Sequence, residues 1–133
     1  MITKLIRVTI QVRDYDEALQ FYTEVLGLEK RADMAFGPGV RWLTVAPKGQ
    51  TEIEIVLQKP EPGMHGEEHA AQMAARIGNQ PTWVFATEDC QATYAELQAR
   101  GVVFHDTPTM QAYGTEAVFA DLYGNTYSLL QPR

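Results

Sequence analysis

The order strand, helix, strand, strand, strand can be read twice along these 133 residues, and a chain built that way has few folds open to it. The first copy opens on Arg7-Val-Thr-Ile-Gln-Val, where Ile6, Val8, Ile10 and Val12 alternate with Arg7, Thr9 and Gln11. Such alternation belongs to a strand with one apolar and one polar face. Asp14, with Glu17 three residues on, is suited to cap a following helix. Tyr15, Ala18, Leu19, Tyr22, Val25 and Leu26 give that helix an apolar stripe, and Gly27 suits its left-handed end. Strands are expected over Leu28–Arg31, Val40–Ala46 and Thr51–Gln58, separated by the Phe36-Gly-Pro-Gly loop and the turn Pro47–Gln50.

Residues 61–80 are bordered by Pro60-Glu-Pro-Gly and Gly78-Asn-Gln-Pro and read as a linker holding a short helix, Glu67–Ile77. From residue 81 the order restarts: a strand at Thr82–Ala86, a helix capped by Thr87 or Asp89, then a strand at Val102–Phe104. A loop over Asp106–Gly114 and strands at Glu116–Ala120 and Thr126–Gln131 complete it. The boundaries are therefore a first module at 1–60, a linker at 61–80 and a second module at 81–133, within one compact domain.

Composition narrows the function. Eleven Lys and Arg against seventeen Asp and Glu give a net charge of −6, which disfavours a nucleic-acid partner and is compatible with a cationic ligand. No apolar run is long enough to span a bilayer, and the N-terminus lacks a signal-peptide core. The single cysteine, Cys90, cannot form an internal disulfide and reads as a packed core residue, so a cytoplasmic location is expected. His65-Gly-Glu-Glu-His69 has the spacing of an inverted zinc-protease helix, but Gly66 at its centre and Pro62-Gly63 before it argue for a solvated linker. Trp83, Phe85, Phe119 and Tyr127 read as core at strand spacing, and Met34, Phe36, Met110 and Tyr113 as loop residues.

Three stretches carry a family resemblance: Arg7-Val-Thr-Ile-Gln-Val-Arg-Asp, Phe21-Tyr-Thr-Glu-Val-Leu-Gly-Leu and Asp121-Leu-Tyr-Gly-Asn-Thr-Tyr-Ser-Leu-Leu. With them the chain resembles the vicinal oxygen chelate superfamily of glyoxalases, bleomycin-resistance proteins and extradiol dioxygenases. The resemblance implies an α+β fold of two βαβββ modules, whose curved mixed sheets form a cup with helices outside, and a homodimer. It also implies that the polar strand faces look into the pocket. Metal-dependent members carry His, Glu, His and Glu at positions that fall here on Arg7, Glu54, Thr82 and Ser128. Arginine has no lone pair to give, and Thr and Ser hydroxyls are poor ligands, so no metal or other cofactor is expected. An Arg7–Glu54 ion pair is expected in its place.

The expected function is binding of a small molecule, such as an antibiotic or similar metabolite, by Arg7, Thr9, Gln11, Trp42, Glu52, Glu54, Thr82, Tyr113 and Ser128. The alternative is a glyoxalase-, epimerase- or dioxygenase-type enzyme with unusual ligands or with Glu54 as its base.

Overall fold

A computed structural model describes all of residues 1–133, which divide into two compact units, Met1–Ile77 and Gly78–Arg133. No helix is long and apolar enough to cross a membrane.

In the first unit β1 (Arg7–Gln11) leads to α1 (Tyr15–Gln20), and β2 (Glu29–Ala35), β3 (Arg41–Ala46) and β4 (Glu54–Gln58) follow. The sheet order is β1-β4-β3-β2, with β1 and β4 parallel and the other pairs antiparallel. This is a mixed βαβββ sheet. Asp14 caps α1 as its sequence promised, its Oδ1 accepting from Glu17 N at 2.8 Å. The apolar strand face and the helix stripe meet: Ile10, Leu43, Val45, Ile55 and Leu57 are buried, as are Ala18 and Tyr22. Each large apolar side chain buried this way stabilises the unit by about 1.5–3 kcal/mol.

The helix departs from its simple period in its second half. Phe21–Val25 is a π-helical turn, in which Leu26 N donates to Phe21 O at 3.0 Å. Thr23 Oγ1 donates back to Leu19 O at 2.6 Å, a local bond that competes with regular helical pairing. After β4 come α2 (Pro62–His65) and α3 (Glu67–Ala75), the latter with Ala70 and Met73 buried, and both belong to the first unit. The break between them at Gly66 puts His65 and His69 on different helices, their rings 6.2 Å apart.

On the apolar side of the sheet Arg41 donates to both carboxylate oxygens of Asp33, at 3.1 and 2.8 Å, and to Asp16 at 2.6 Å. Its guanidinium lies over Tyr15, 5.5 Å from the ring centre. The hydrogen bonds from Arg41 hold the Asp33 carboxyl below the usual carboxylate range. Because the folded pKa lies below the unfolded one, this stabilisation is complete above about pH 4 and is lost as pH falls through the folded value. The expected result is that Asp33→Asn costs about 1 kcal/mol near neutral pH and progressively less in acid. Urea unfolding of both proteins between pH 7 and pH 2 measures this, and a gap that widens in acid refutes it.

In the second unit β5 (Trp83–Ala86) precedes α4 (Cys90–Ala99), β6 (Val103–Phe104), β7 (Thr109–Gln111), β8 (Gly114–Ala120) and β9 (Thr126–Pro132). The order β5-β9-β8-β6, with β7 also on β8, repeats the parallel outer pair of the first sheet. The loop expected over 106–114 thus contains a short strand, and β8 begins two residues earlier than its apolar pattern suggested. Asp89 caps α4 by accepting from Ala92 N at 3.0 Å. The core is aromatic: Phe119 lies 6.4 Å from Phe85 and 5.5 Å from both Tyr127 and Phe104, and Tyr94 meets Phe104 edge-on at 4.6 Å. Trp83, expected to pack there, is instead 37% exposed at the start of an edge strand. Cys90 is fully buried, and burial raises its thiol pKa, as befits a packed core cysteine.

Candidate functional site

Parallel pairing sets Arg7 opposite Glu54, Thr9 opposite Val56 and Gln11 opposite Gln58, so these six side chains share one face of the first sheet. Across the antiparallel pair Thr44 stands opposite Val56, which brings Trp42 and Thr44 to the same face, and Met34 lies beside Trp42 on β2. The face opposes the apolar one that carries Ile10, Leu43 and Val45.

Four of these residues form a connected group. Arg7 Nε lies 3.5 Å from Glu54 Oε1, with side-chain exposures of 43% and 24%. The Arg7 guanidinium carbon stands over Trp42, 5.3 Å from the ring centre, within cation–π range. Thr44, fully buried, donates to Glu54 Oε2 at 2.8 Å. The ion pair expected from the sequence is therefore formed, supported by a hydroxyl and an indole. Alongside, Gln11 Nε2 donates to Gln58 Oε1 at 3.0 Å, and Gln58 Nε2 lies 3.5 Å from His65 Nε2. Thr9 is exposed on this face.

Glu52 is not part of the group. It lies on an exposed bend ahead of β4, because that strand begins at Glu54 rather than Thr51.

In the second sheet Thr82 and Ser128 share a face but do not stand opposite each other. Asp14 and Asp89 cap corresponding helices, and Arg7 and Thr82 each precede their cap by seven residues. Across from Arg7 stands Glu54, but the hydroxyl that meets Thr82 belongs to Thr126, at 2.7 Å. Ser128 is level with Val84, one strand repeat further along the same face. Register, which the spacing of turn glycines does not fix, decides this. Ser128 and Tyr113 are joined instead by Glu116: Ser128 Oγ donates to Glu116 Oε2 at 2.6 Å, and Tyr113 OH donates to Oε1 at 2.7 Å. That bond to Glu116 raises the Tyr113 phenol pKa.

Thr44, Gln58 and Glu116 were missed as site residues. The signal was present in the period-two relation of Thr44 to Trp42, of Gln58 to Glu54 and, across β8 and β9, of Glu116 to Ser128.

The profile of the Glyoxalase/Bleomycin resistance protein/Dioxygenase superfamily matches residues 4–129. The chain belongs to this superfamily. YetH of Bacillus subtilis (strain 168), an uncharacterized protein, is 38% identical over 97% of this chain and 98% of its own length. The crystal structure of UcmS2 superposes with a TM-score of 0.86 at 44% identity, covering 98% of each chain. That of TnmS3, an antibiotic binding protein from Streptomyces sp. CB03234, gives a TM-score of 0.76 at 32% identity, covering 99% of this chain and 98% of TnmS3. The α+β fold of paired βαβββ modules is thus the superfamily's own.

Proposed function

We propose that this protein binds a small organic molecule on the polar face of its first sheet and sequesters it, without a metal and without chemical change. The observation that carries this reading is the Arg7 guanidinium, laid over Trp42 and set against Glu54 on a partly exposed sheet face. TnmS3, an antibiotic binding protein by name, lends support at 32% identity over nearly the whole chain.

The donor set does not suit the metal of the superfamily's enzymes. At the two positions of the first unit stand Arg7, which has no lone pair, and Glu54, whose oxygens already serve Arg7 and Thr44. At the two positions that the resemblance gives in the second unit stand Thr82 and Ser128, with Thr126 beside Thr82, and all three are hydroxyls that make weak ligands. The same engagement of both Glu54 oxygens favours a binding role over that of a general base, which needs a lone pair directed at substrate.

The reading includes a homodimer in the cytoplasm. β1 of the first unit and β5 of the second are each edge strands of their own sheet, and the apolar side chains beside or within them, Leu5 and Ile6 in the one and Val84 in the other, are 66%, 46% and 57% exposed, which suits either edge to association. Light scattering after size exclusion should give twice the mass of the chain.

A thermal-shift screen against antibiotic-class and aromatic compounds should find ligands that raise the Tm, and Trp42→Ala should remove that rise while leaving a folded protein. A folded Trp42→Ala protein that keeps the full shift places the binding elsewhere. Dialysis against zinc, nickel or iron(II) should leave no stoichiometric metal; one ion per chain overturns the metal-free reading.

A further inference from the structure

Arg7 differs from Arg31 and Arg41 in what its donors do. Arg41 commits its fork to Asp33 and Asp16, while Arg31 donates from Nη2 to Pro47 O at 3.0 Å and pairs with Glu29. Arg7 approaches Glu54 with Nε 3.5 Å from Oε1, and its Nη1 and Nη2 make no hydrogen bond within the protein. One face of the guanidinium is turned to Trp42, one edge to the Glu54 carboxylate, and the terminal amino edge is left open on a side chain 43% exposed. Its two neighbours hold the fork in place, so an incoming acceptor meets donors that are already oriented.

We infer that the ligand is a planar aromatic molecule bearing a carboxylate or aryl carbonyl oxygen, received by Nη1 and Nη2 of Arg7 with its ring against the Arg7–Trp42 pair. This deepens the reading above and rests on it. A guanidinium selects flat oxygen acceptors, to which it donates in parallel, and stacks on aromatic planes. Met34, beside Trp42 and 56% exposed, extends the platform with a soft apolar side chain. The net charge of −6 points the other way, toward a cation, but net charge governs long-range approach, whereas contact groups select. A cationic group at this place meets the positive charge of Arg7, and both oxygens of the neighbouring Glu54 are already engaged.

The test compares 2-naphthoate, 2-naphthylmethylamine and cyclohexanecarboxylate at physiological salt by calorimetry and by NMR of the indole N–H. There are two tryptophans, so Trp83→Phe leaves Trp42 as the reporter. The expected result is that 2-naphthoate moves the Trp42 signal and binds about tenfold tighter than either other probe. Arg7→Lys, which keeps the charge but loses the fork, should weaken 2-naphthoate by about tenfold and leave the amine nearly unchanged. If the amine moves the Trp42 signal and binds as tightly as the naphthoate, the ligand class is wrong and the binding face stands. If no probe moves the Trp42 signal, both the class and the face fall. The comparison of probes on the protein with its own Arg7 and Trp42 does not depend on any substitution at the site.

Discussion

Replacing Gly114 with alanine is expected to destabilise the protein by about 3 kcal/mol. Gly114 opens β8 with φ of 149°, a conformation that L side chains rarely adopt. A Cβ there would clash with Gln131 O and lie 3.1 Å from a Leu130 methyl carbon. The nearer atom is backbone in the partner strand β9, so relief requires β9 to move away. That motion disturbs the strand whose Leu129 is buried and whose Ser128 donates to Glu116. Gly63 provides the control, since it has no positive φ and a methyl group there would meet no atom within 4 Å. Gly63→Ala should therefore change stability by less than about 0.5 kcal/mol. Denaturant titration of the two variants measures the difference; equal midpoints would refute the steric account of Gly114.

Asn125→Ala should cost about 2–4 kcal/mol, through lost polar contacts rather than a clash. Asn125 is 1% exposed and ties the Asp121–Asn125 turn to the start of the second unit. Its Oδ1 accepts from Gly78 N at 2.7 Å and from Gln80 Nε2 at 3.1 Å, and its Nδ2 donates to Asp121 Oδ2 at 2.9 Å. Asp121, 6% exposed, accepts through Oδ1 from Tyr123 N and Asn125 N. Alanine takes one donor from a buried carboxylate and one acceptor from a backbone N–H. Asn125→Asp keeps the acceptor but sets a second carboxylate against Asp121, so its penalty should shrink as pH falls and one of the pair takes up a proton. Thermal melts at pH 7 and pH 4 separate the variants: the aspartate variant recovers in acid relative to alanine. A pH-independent gap contradicts this account of the turn.

Both predictions concern the second unit, where the sequence was readable in outline and misleading in detail. Asp121-Leu-Tyr-Gly-Asn was recognisable as a turn because Asp, Gly and Asn are turn residues. That Asn125 reaches back to Gly78 and Gln80 depends on a separation of more than forty residues, on which local composition is silent. The short strand β7 leaves no signal in the sequence, because Thr109–Gln111 is exposed throughout and so has no apolar alternation.

The same division runs through the candidate site. The alternation of β1 and the spacing of β4 are local properties, and they determined that Arg7, Thr9 and Gln11 share a face and that Glu54 is available to pair with Arg7. The capped helices and the repeated element order determined the α+β modules, since a strand with one apolar face and a helix with one apolar stripe must bury them together. Tertiary structure alone decided the register. A shift of two residues keeps every side chain on its face, so alternation cannot distinguish Thr126 from Ser128 as the partner of Thr82, and only the strand pairing does. It alone brought Trp42 and Thr44 from β3 to Arg7 and Glu54, because contacts between strands distant in sequence follow from sheet order. The charge on the first strand was legible from the sequence; the open edge of its guanidinium became visible only once its neighbours were in place.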